Sequence, residues 1–162
     1  MHPLADVQVH HGALSVSNMA ASIAFYETVL GFKVDTRIVV MDGQLEIVHL
    51  MKDGSCLELF AYRNAAALPV HARDNDTDIP VIGTKHVAFG TDHPRGLHAW
   101  LQQHQVAGLT DIFEGPDYRY FYFKDPDGIT LEVVSRKGRS SFARREDHDA
   151  APQASGVRLA DE

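Results

Sequence analysis

The sequence predicts an α+β protein made of two copies of one strand–helix–three-strand unit, and three observations carry that expectation. First, Asp53-Gly54-Ser55-Cys56-Leu57-Glu58-Leu59-Phe60 aligns with Asp127-Gly128-Ile129-Thr130-Leu131-Glu132-Val133-Val134, with Asp, Gly, Leu and Glu at the same four offsets. Second, His11-Gly12-Ala13-Leu14 matches His86-Val87-Ala88-Phe89, and Glu58 lies 47 residues after His11 while Glu132 lies 46 after His86. Third, each His-led apolar stretch runs into a helix-capping residue, Asn18 or Asp92, followed by apolar residues at helical spacing.

The elements follow in order from that frame. A short strand opens at His11. Met19, Ile23, Tyr26 and Leu30 then fall at helical spacing and Gly31 supplies a C-cap, which predicts a helix over 19–30. Residues 33–40 and 44–51 read as strands, and a third strand of the unit leaves the Asp53-Gly54 turn. In the second half Pro94 is tolerated in a first helical turn, Leu97, Trp100, Leu101 and His104 share a face, and Gly108 follows, predicting a helix over 94–106. Residues 108–113 and 119–124 read as strands, and the last strand leaves Asp127-Gly128.

The expected organisation is therefore a first module over 1–62, a connection over 63–85, a second module over 86–135 and a polar tail over 136–162. The connection carries two prolines and little periodicity, and connections of that length often cover a site or exchange between subunits. The tail has six basic and five acidic residues and few large apolar ones, a composition unable to bury a core.

Composition narrows the function classes. At 162 residues, 44% hydrophobic and 23% charged, the chain has the make-up of a soluble globular unit, which excludes wholesale disorder, collagen and membrane spans. Fifteen Lys and Arg against 22 Asp and Glu give a net charge of -7 with no basic face, so no nucleic acid partner is expected. The one cysteine, Cys56, has no internal disulfide partner, and the opening MHPLADVQV lacks the charged and apolar regions of a secretory signal. A cytoplasmic protein is expected.

The repeat also selects the residues that carry chemistry. A two-fold duplication brings equivalent positions together, so His11, Glu58, His86 and Glu132 are expected to form one constellation. Two imidazoles and two carboxylates suit one divalent first-row metal ion and leave room for water or substrate. Taken singly, each His is as well explained by hydrogen bonding and each Glu by a solvent-facing place on a half-buried strand. The matched register in both halves favours ligands. His10 is expected on the opposite face from His11, as a structural residue. His49, His98 and His104 read as surface or packing residues. In the run from 118 to 123, Tyr118, Tyr120 and Tyr122 share one face and Phe121 and Phe123 the other, so the phenols either meet substrate or pack on a helix.

The pattern H-x-A-[LF], N-M-x-x-S-I-x-F-Y-x-x-V-L-G-F at 18–32 and D-P-D-G-I-T-L-E at 125–132 resembles the vicinal oxygen chelate superfamily, which comprises glyoxalases, bleomycin resistance proteins and extradiol dioxygenases, over residues 8–135. The resemblance implies two βαβββ modules forming a cupped mixed sheet around a metal, usually in a homodimer, with ligands at His11, Glu58, His86 and Glu132. It implies a small-molecule substrate that chelates one divalent ion (Ni, Co, Zn, Mn or Fe) through vicinal oxygens. In the lyase and isomerase branch Glu132 or Glu58 removes a proton alpha to a carbonyl, which two coordinating carboxylates suit. The alternative is an Fe(II) extradiol dioxygenase, which needs two His and one carboxylate; Tyr122 and His71 fall near where those enzymes place an active-site Tyr and a supporting His. A drug-binding or resistance protein of the same fold is a third reading, disfavoured by the complete ligand set. Ser15 stands where bacterial lactoylglutathione lyases carry Arg, and Tyr62 where they carry Asn, which argues against glutathione as the substrate's carrier.

Overall fold

The computed structural model describes residues 7–138 and residue 140; residues 141–162, most of the expected polar tail, lie outside the described residues, as do residues 1–6. The element order is β1 (His11–Ser15), α1 (Met19–Leu30), β2 (Lys33–Val40), β3 (Leu45–Lys52) and β4 (Ser55–Tyr62), then a 3-10 turn (Val70–Arg73) and a short α2 (Asn75–Asp78), then β5 (Val87–Gly90), α3 (Pro94–Gln103), β6 (Phe113–Glu114), β7 (Tyr118–Lys124) and β8 (Thr130–Arg136). Each half makes a four-stranded mixed sheet, ordered β1-β4-β3-β2 and β5-β8-β7-β6. In both, the first strand pairs in parallel with the last and all other pairs are antiparallel. A helical crossover is what allows that parallel pair.

Strand alternation gives each sheet a helix side and an open side. Val48 and Leu50, Leu57 and Leu59, Phe121 and Phe123, and Leu131 and Val133 all point to the helix side and are at most 2% exposed. They share one hydrophobic core with Met19, Tyr26 and Leu30 of α1 and Leu101 of α3. The α1 boundaries match the sequence because both caps form: Asn18 accepts from the Ala21 N–H, and Gly31 turns the chain out at φ 74.

Contacts between the halves come from the helix side. Phe25 and Phe123 lie 6.4 Å apart between ring centroids, and Phe32 meets Phe89 edge-on at 6.0 Å. The Tyr26 hydroxyl donates to Asp125 Oδ2 at 3.0 Å within the core, and the Ser17 N–H donates to Asp127 Oδ2 at 3.0 Å. Where β1 passes β5, a Cβ added to Gly12 would stand 3.9 Å from Val87 Cγ2.

Three local expectations are corrected. The second helix ends at Gln103 rather than 106, because Gln105 adopts a left-handed φ of 53 and the Val106 N–H closes back onto the Leu101 carbonyl. Its N-cap position is His93, not Asp92. The strand expected over 108–113 shrinks to Phe113–Glu114. Upstream of it, the Thr110 hydroxyl accepts the Tyr122 N–H and the Thr110 N–H reaches the Tyr122 carbonyl, so a side chain takes over part of the ladder. The connection is also less irregular than expected: Asp74 caps α2 through the Asp76 N–H, and Lys85 ties the half-turn at Asp78 with bonds of 2.8 and 3.1 Å.

Candidate functional site

The open side of each sheet carries one row of facing residues that runs straight across the strands. In the first half, Thr36 on β2 faces His49 on β3, His49 faces Glu58 on β4, and Glu58 faces Ala13 on β1. In the second half, Tyr122 on β7 faces Glu132 on β8, which faces Ala88 on β5. His11 opens β1 two residues before Ala13, hence on the same open side, and His86, just ahead of β5, is brought there by its contact with Glu132. The repeat is thus a repeat of this row, with alanines leaving room above the carboxylates.

The carboxylates meet the imidazoles within each half. His11 Nε2 lies 3.3 Å from Glu58 Oε2, and His86 Nε2 lies 3.0 Å from Glu132 Oε2. The Glu58 and Glu132 side chains are largely but not fully buried, at 14% and 15% exposed. Among the described residues no three His, Cys, Asp or Glu side chains form a group able to hold a metal ion, so one chain presents the four expected ligands two by two. The hydrogen bonds, ion pairs and ring contacts of His11 and Glu58 stay in the first half, and those of His86 and Glu132 in the second.

The donor chemistry fits a divalent first-row ion: each half offers an imidazole Nε2 beside a carboxylate on an open surface. Two such pairs make up the four-donor set, and one pair alone does not.

Two histidines depart from the sequence reading. His49, expected as a surface or packing residue, places Nε2 2.8 Å from Glu58 Oε1 and Nδ1 2.9 Å from the Thr36 hydroxyl. The signal was in the hairpin register: folding the chain about Asp53-Gly54 sets residue 49 opposite residue 58. His10 is not sent away from His11, since their Nδ1 atoms lie 2.9 Å apart. It precedes the strand, where alternation does not apply. His98 and His104 pack as read, His98 against the Thr110 carbonyl and Phe121, His104 stacked on Trp100. His71 sits 4.0 Å from Asp78 and touches neither pair.

In the second half Tyr122 stands where His49 stands in the first, its ring 5.6 Å from that of His86. Burial, then the charge of Glu132 and the neighbouring Tyr120, push its phenol above the ordinary range, so it is protonated at neutral pH. Tyr122, Tyr120 and Phe113 line an open cavity of about 540 Å³ together with Asn75 and Ile79, so the connection reaches the neighbourhood of Tyr122. Phe113 stacks on Tyr120 at 5.2 Å, which makes this wall apolar and flat. Cys56 shares the open side, and burial, then Glu58 and Asp35, raise its thiol pKa, which favours the protonated thiol.

Comparisons with known proteins agree with this architecture. The family model described as Glyoxalase/Bleomycin resistance protein/Dioxygenase superfamily matches residues 8–133. The uncharacterized protein YwbC of Bacillus subtilis (strain 168) is 29% identical over 133 residues, covering 80% of this chain and 98% of its own. Among solved structures, a glyoxalase family protein from Enterococcus faecalis superposes with a TM-score of 0.66 at 25% identity, over 78% of this chain and 96% of that one. The trypanothione-dependent glyoxalase I of Leishmania major superposes at 0.63 with 22% identity, over 80% and 86%, a likeness of fold.

Proposed function

Because this chain belongs to the Glyoxalase/Bleomycin resistance protein/Dioxygenase superfamily, we propose that it is a metal-dependent lyase or isomerase acting on a small carbonyl or hydroxy-carbonyl compound. The observation that carries the reading is the pair of matched His–Glu couples, His11 with Glu58 and His86 with Glu132, at equivalent places of the two open faces. These four residues would hold one divalent ion: nickel, cobalt, zinc, manganese or iron. When bound, the ion supplies Lewis acidity to two adjacent substrate oxygens.

The chain's own residues do the rest. Glu58 already takes two imidazoles, one on each oxygen, and is held. Glu132 takes one, which leaves it the freer carboxylate to accept a proton from the carbon alpha to the carbonyl and return it to the neighbouring carbon. That transfer is balanced, with one C–H broken, one formed and the proton carried on Glu132. Tyr122, protonated beside Glu132, donates a hydrogen bond to a substrate oxygen, and the aromatic wall receives the substrate's body.

Since the two couples stay apart within the chain, the proposed centre is completed in a homodimer, His11 and Glu58 of one copy meeting His86 and Glu132 of another. The test combines metal analysis with complementation. Glu58→Gln and Glu132→Gln are each expected to lose metal affinity and turnover. Mixing the two and reassorting subunits restores one intact centre in every mixed dimer, so activity should return to about a quarter of wild type. Full metal and full activity in both single variants would overturn the ligand assignment, and no recovery on mixing would overturn the shared centre.

The dioxygenase reading keeps one observation in its favour: with Glu58 held by His49, which is no part of the four-residue set, His11, His86 and Glu132 make up two nitrogens and one carboxylate, beside Tyr122. Iron retained only without air, with oxygen uptake on catechols, would select it over the isomerase.

A further inference from the structure

We propose that His49, oriented by Thr36, is a positioning residue that holds the Glu58 carboxylate in place for metal binding, a device the second half lacks. The inference rests on the metal reading above and assigns a function to a residue outside the four ligands.

The geometry is a chain of bonds along one strand row. The Thr36 hydroxyl reaches His49 Nδ1 at 2.9 Å, and His49 Nε2 reaches Glu58 Oε1 at 2.8 Å. A carboxylate can only accept, so Nε2 must carry its proton. In a neutral ring Nδ1 is then the acceptor, and Thr36 must donate to it, which fixes the tautomer and the ring plane together. Both ring nitrogens are occupied, so His49 acts through Glu58. The other carboxylate oxygen is left facing His11 Nε2 at 3.3 Å. On the far side of His11, Nδ1 meets His10 Nδ1 at 2.9 Å, and when Nε2 is kept free for a metal, His11 donates from Nδ1 to His10.

The second half breaks the pattern at the equivalent place. Tyr122 occupies the position of His49, and among the described residues no hydrogen bond joins its hydroxyl to Glu132. The Thr110 hydroxyl accepts from the Tyr122 backbone N–H and does not orient its side chain as Thr36 orients His49. A sheet-stabilising pair would be expected to recur with the repeat or to sit anywhere on the open side. This one occurs once, on the carboxylate, in the middle of the row.

The test is a competition titration of the full-length protein with Zn(II) and a chromophoric chelator, with thermal unfolding as a check on the fold. His49→Leu removes the donor from a half-buried strand position and should weaken metal binding about 10- to 100-fold, the usual effect of losing a group that orients a ligand. His49→Gln keeps an N–H near the Nε2 position and should recover most of that loss; Thr36→Val should fall between. Unchanged affinity in His49→Leu, or His49→Gln binding as weakly as His49→Leu, overturns the proposal. Wild-type protein that binds no Zn(II) overturns the metal reading itself, an outcome distinct from either.

Discussion

Replacing Tyr26 with phenylalanine removes one oxygen from the middle of the molecule and isolates what the bond between the halves contributes. Tyr26 is 0% and Asp125 3% exposed, and the phenol donates to Asp125 Oδ2 at 3.0 Å. Asp125 Oδ1 is satisfied independently by the Asp127 and Ile129 N–H groups at 2.9 and 2.8 Å. Without the phenol, Oδ2 is left buried and unpaired, a cost of about 1–3 kcal/mol. Taking about 2 kcal/mol, the thermal midpoint should fall by about 4–8 °C for a chain of this size. The pH dependence gives a second, sharper readout. Burial, then the charge and hydrogen bond of Asp125, push the Tyr26 phenol well above its ordinary range in the folded protein. The unfolded chain therefore loses this proton first, near pH 10, and above that pH the wild type loses stability at about 1.4 kcal/mol per pH unit. The Tyr26→Phe variant has no proton to lose there, so the gap of about 2 kcal/mol expected at pH 7 should close about 1.5 units above pH 10. Urea unfolding of both proteins from about pH 7 to about pH 11.5 measures it. Equal stabilities at neutral pH, or a gap that stays constant through about pH 11, would refute the reasoning.

Three further outcomes are expected. Gly108→Ala places a Cβ against the Lys124 side chain at a φ of 64 and should cost about 1–3 kcal/mol, whereas Gly43→Ala, at φ 81 with nothing within 4 Å, should cost only the left-handed backbone penalty of about 1 kcal/mol; chemical denaturation of the pair separates collision from conformation. Leu57→Ala, at a position 2% exposed in the shared core, should destabilise by about 2–5 kcal/mol in the same assay. Hydrogen bonds from Lys137, and then Arg119, hold the Glu114 carboxyl below its ordinary 4.5. Its contribution is therefore present above that value and lost as pH falls through the lowered one, and a carbon-detected NMR titration should show it moving back up in Lys137→Met.

The parts of the fold legible in the sequence are those where a local rule and the tertiary environment agree. Asn18 and Gly31 bracket α1 because both caps are made by the chain's own neighbours, and no distant contact is needed to stop the helix. The Asp-Gly turns at 53–54 and 127–128 announce β4 and β8 for the same reason, Gly54 and Gly128 taking φ of 80 and 82. Residues 108–113 read as a longer strand because Leu109, Thr110, Ile112 and Phe113 are residue types at home in strands, while the pairing that decides the matter is made by the Thr110 hydroxyl against Tyr122, 12 residues away. At the candidate site the four repeated residues stood out through register alone. His49 did not, because it has no partner in the other half, and a repeat reveals what is shared and conceals what has diverged.

That divergence bears on how a duplicated site can do acid–base chemistry. Two identical halves would give two carboxylates in the same surroundings, with neither distinguished as ligand or base. The row across the first sheet ends in Thr36 and His49, and Glu58 is bonded on both oxygens. The row across the second ends in Tyr122, which leaves one oxygen of Glu132 unclaimed by any imidazole and sets a protonated phenol beside it. A difference of one residue type at one place in the repeat, Tyr in place of His, therefore exchanges a restraint on the carboxylate for a protonated phenol beside it, which under the proposed function is the donor to the substrate. Tyr122 also extends an aromatic face with Tyr120 and Phe113, so under the proposed function the same residue that leaves Glu132 unrestrained contributes to the wall offered to the substrate's body.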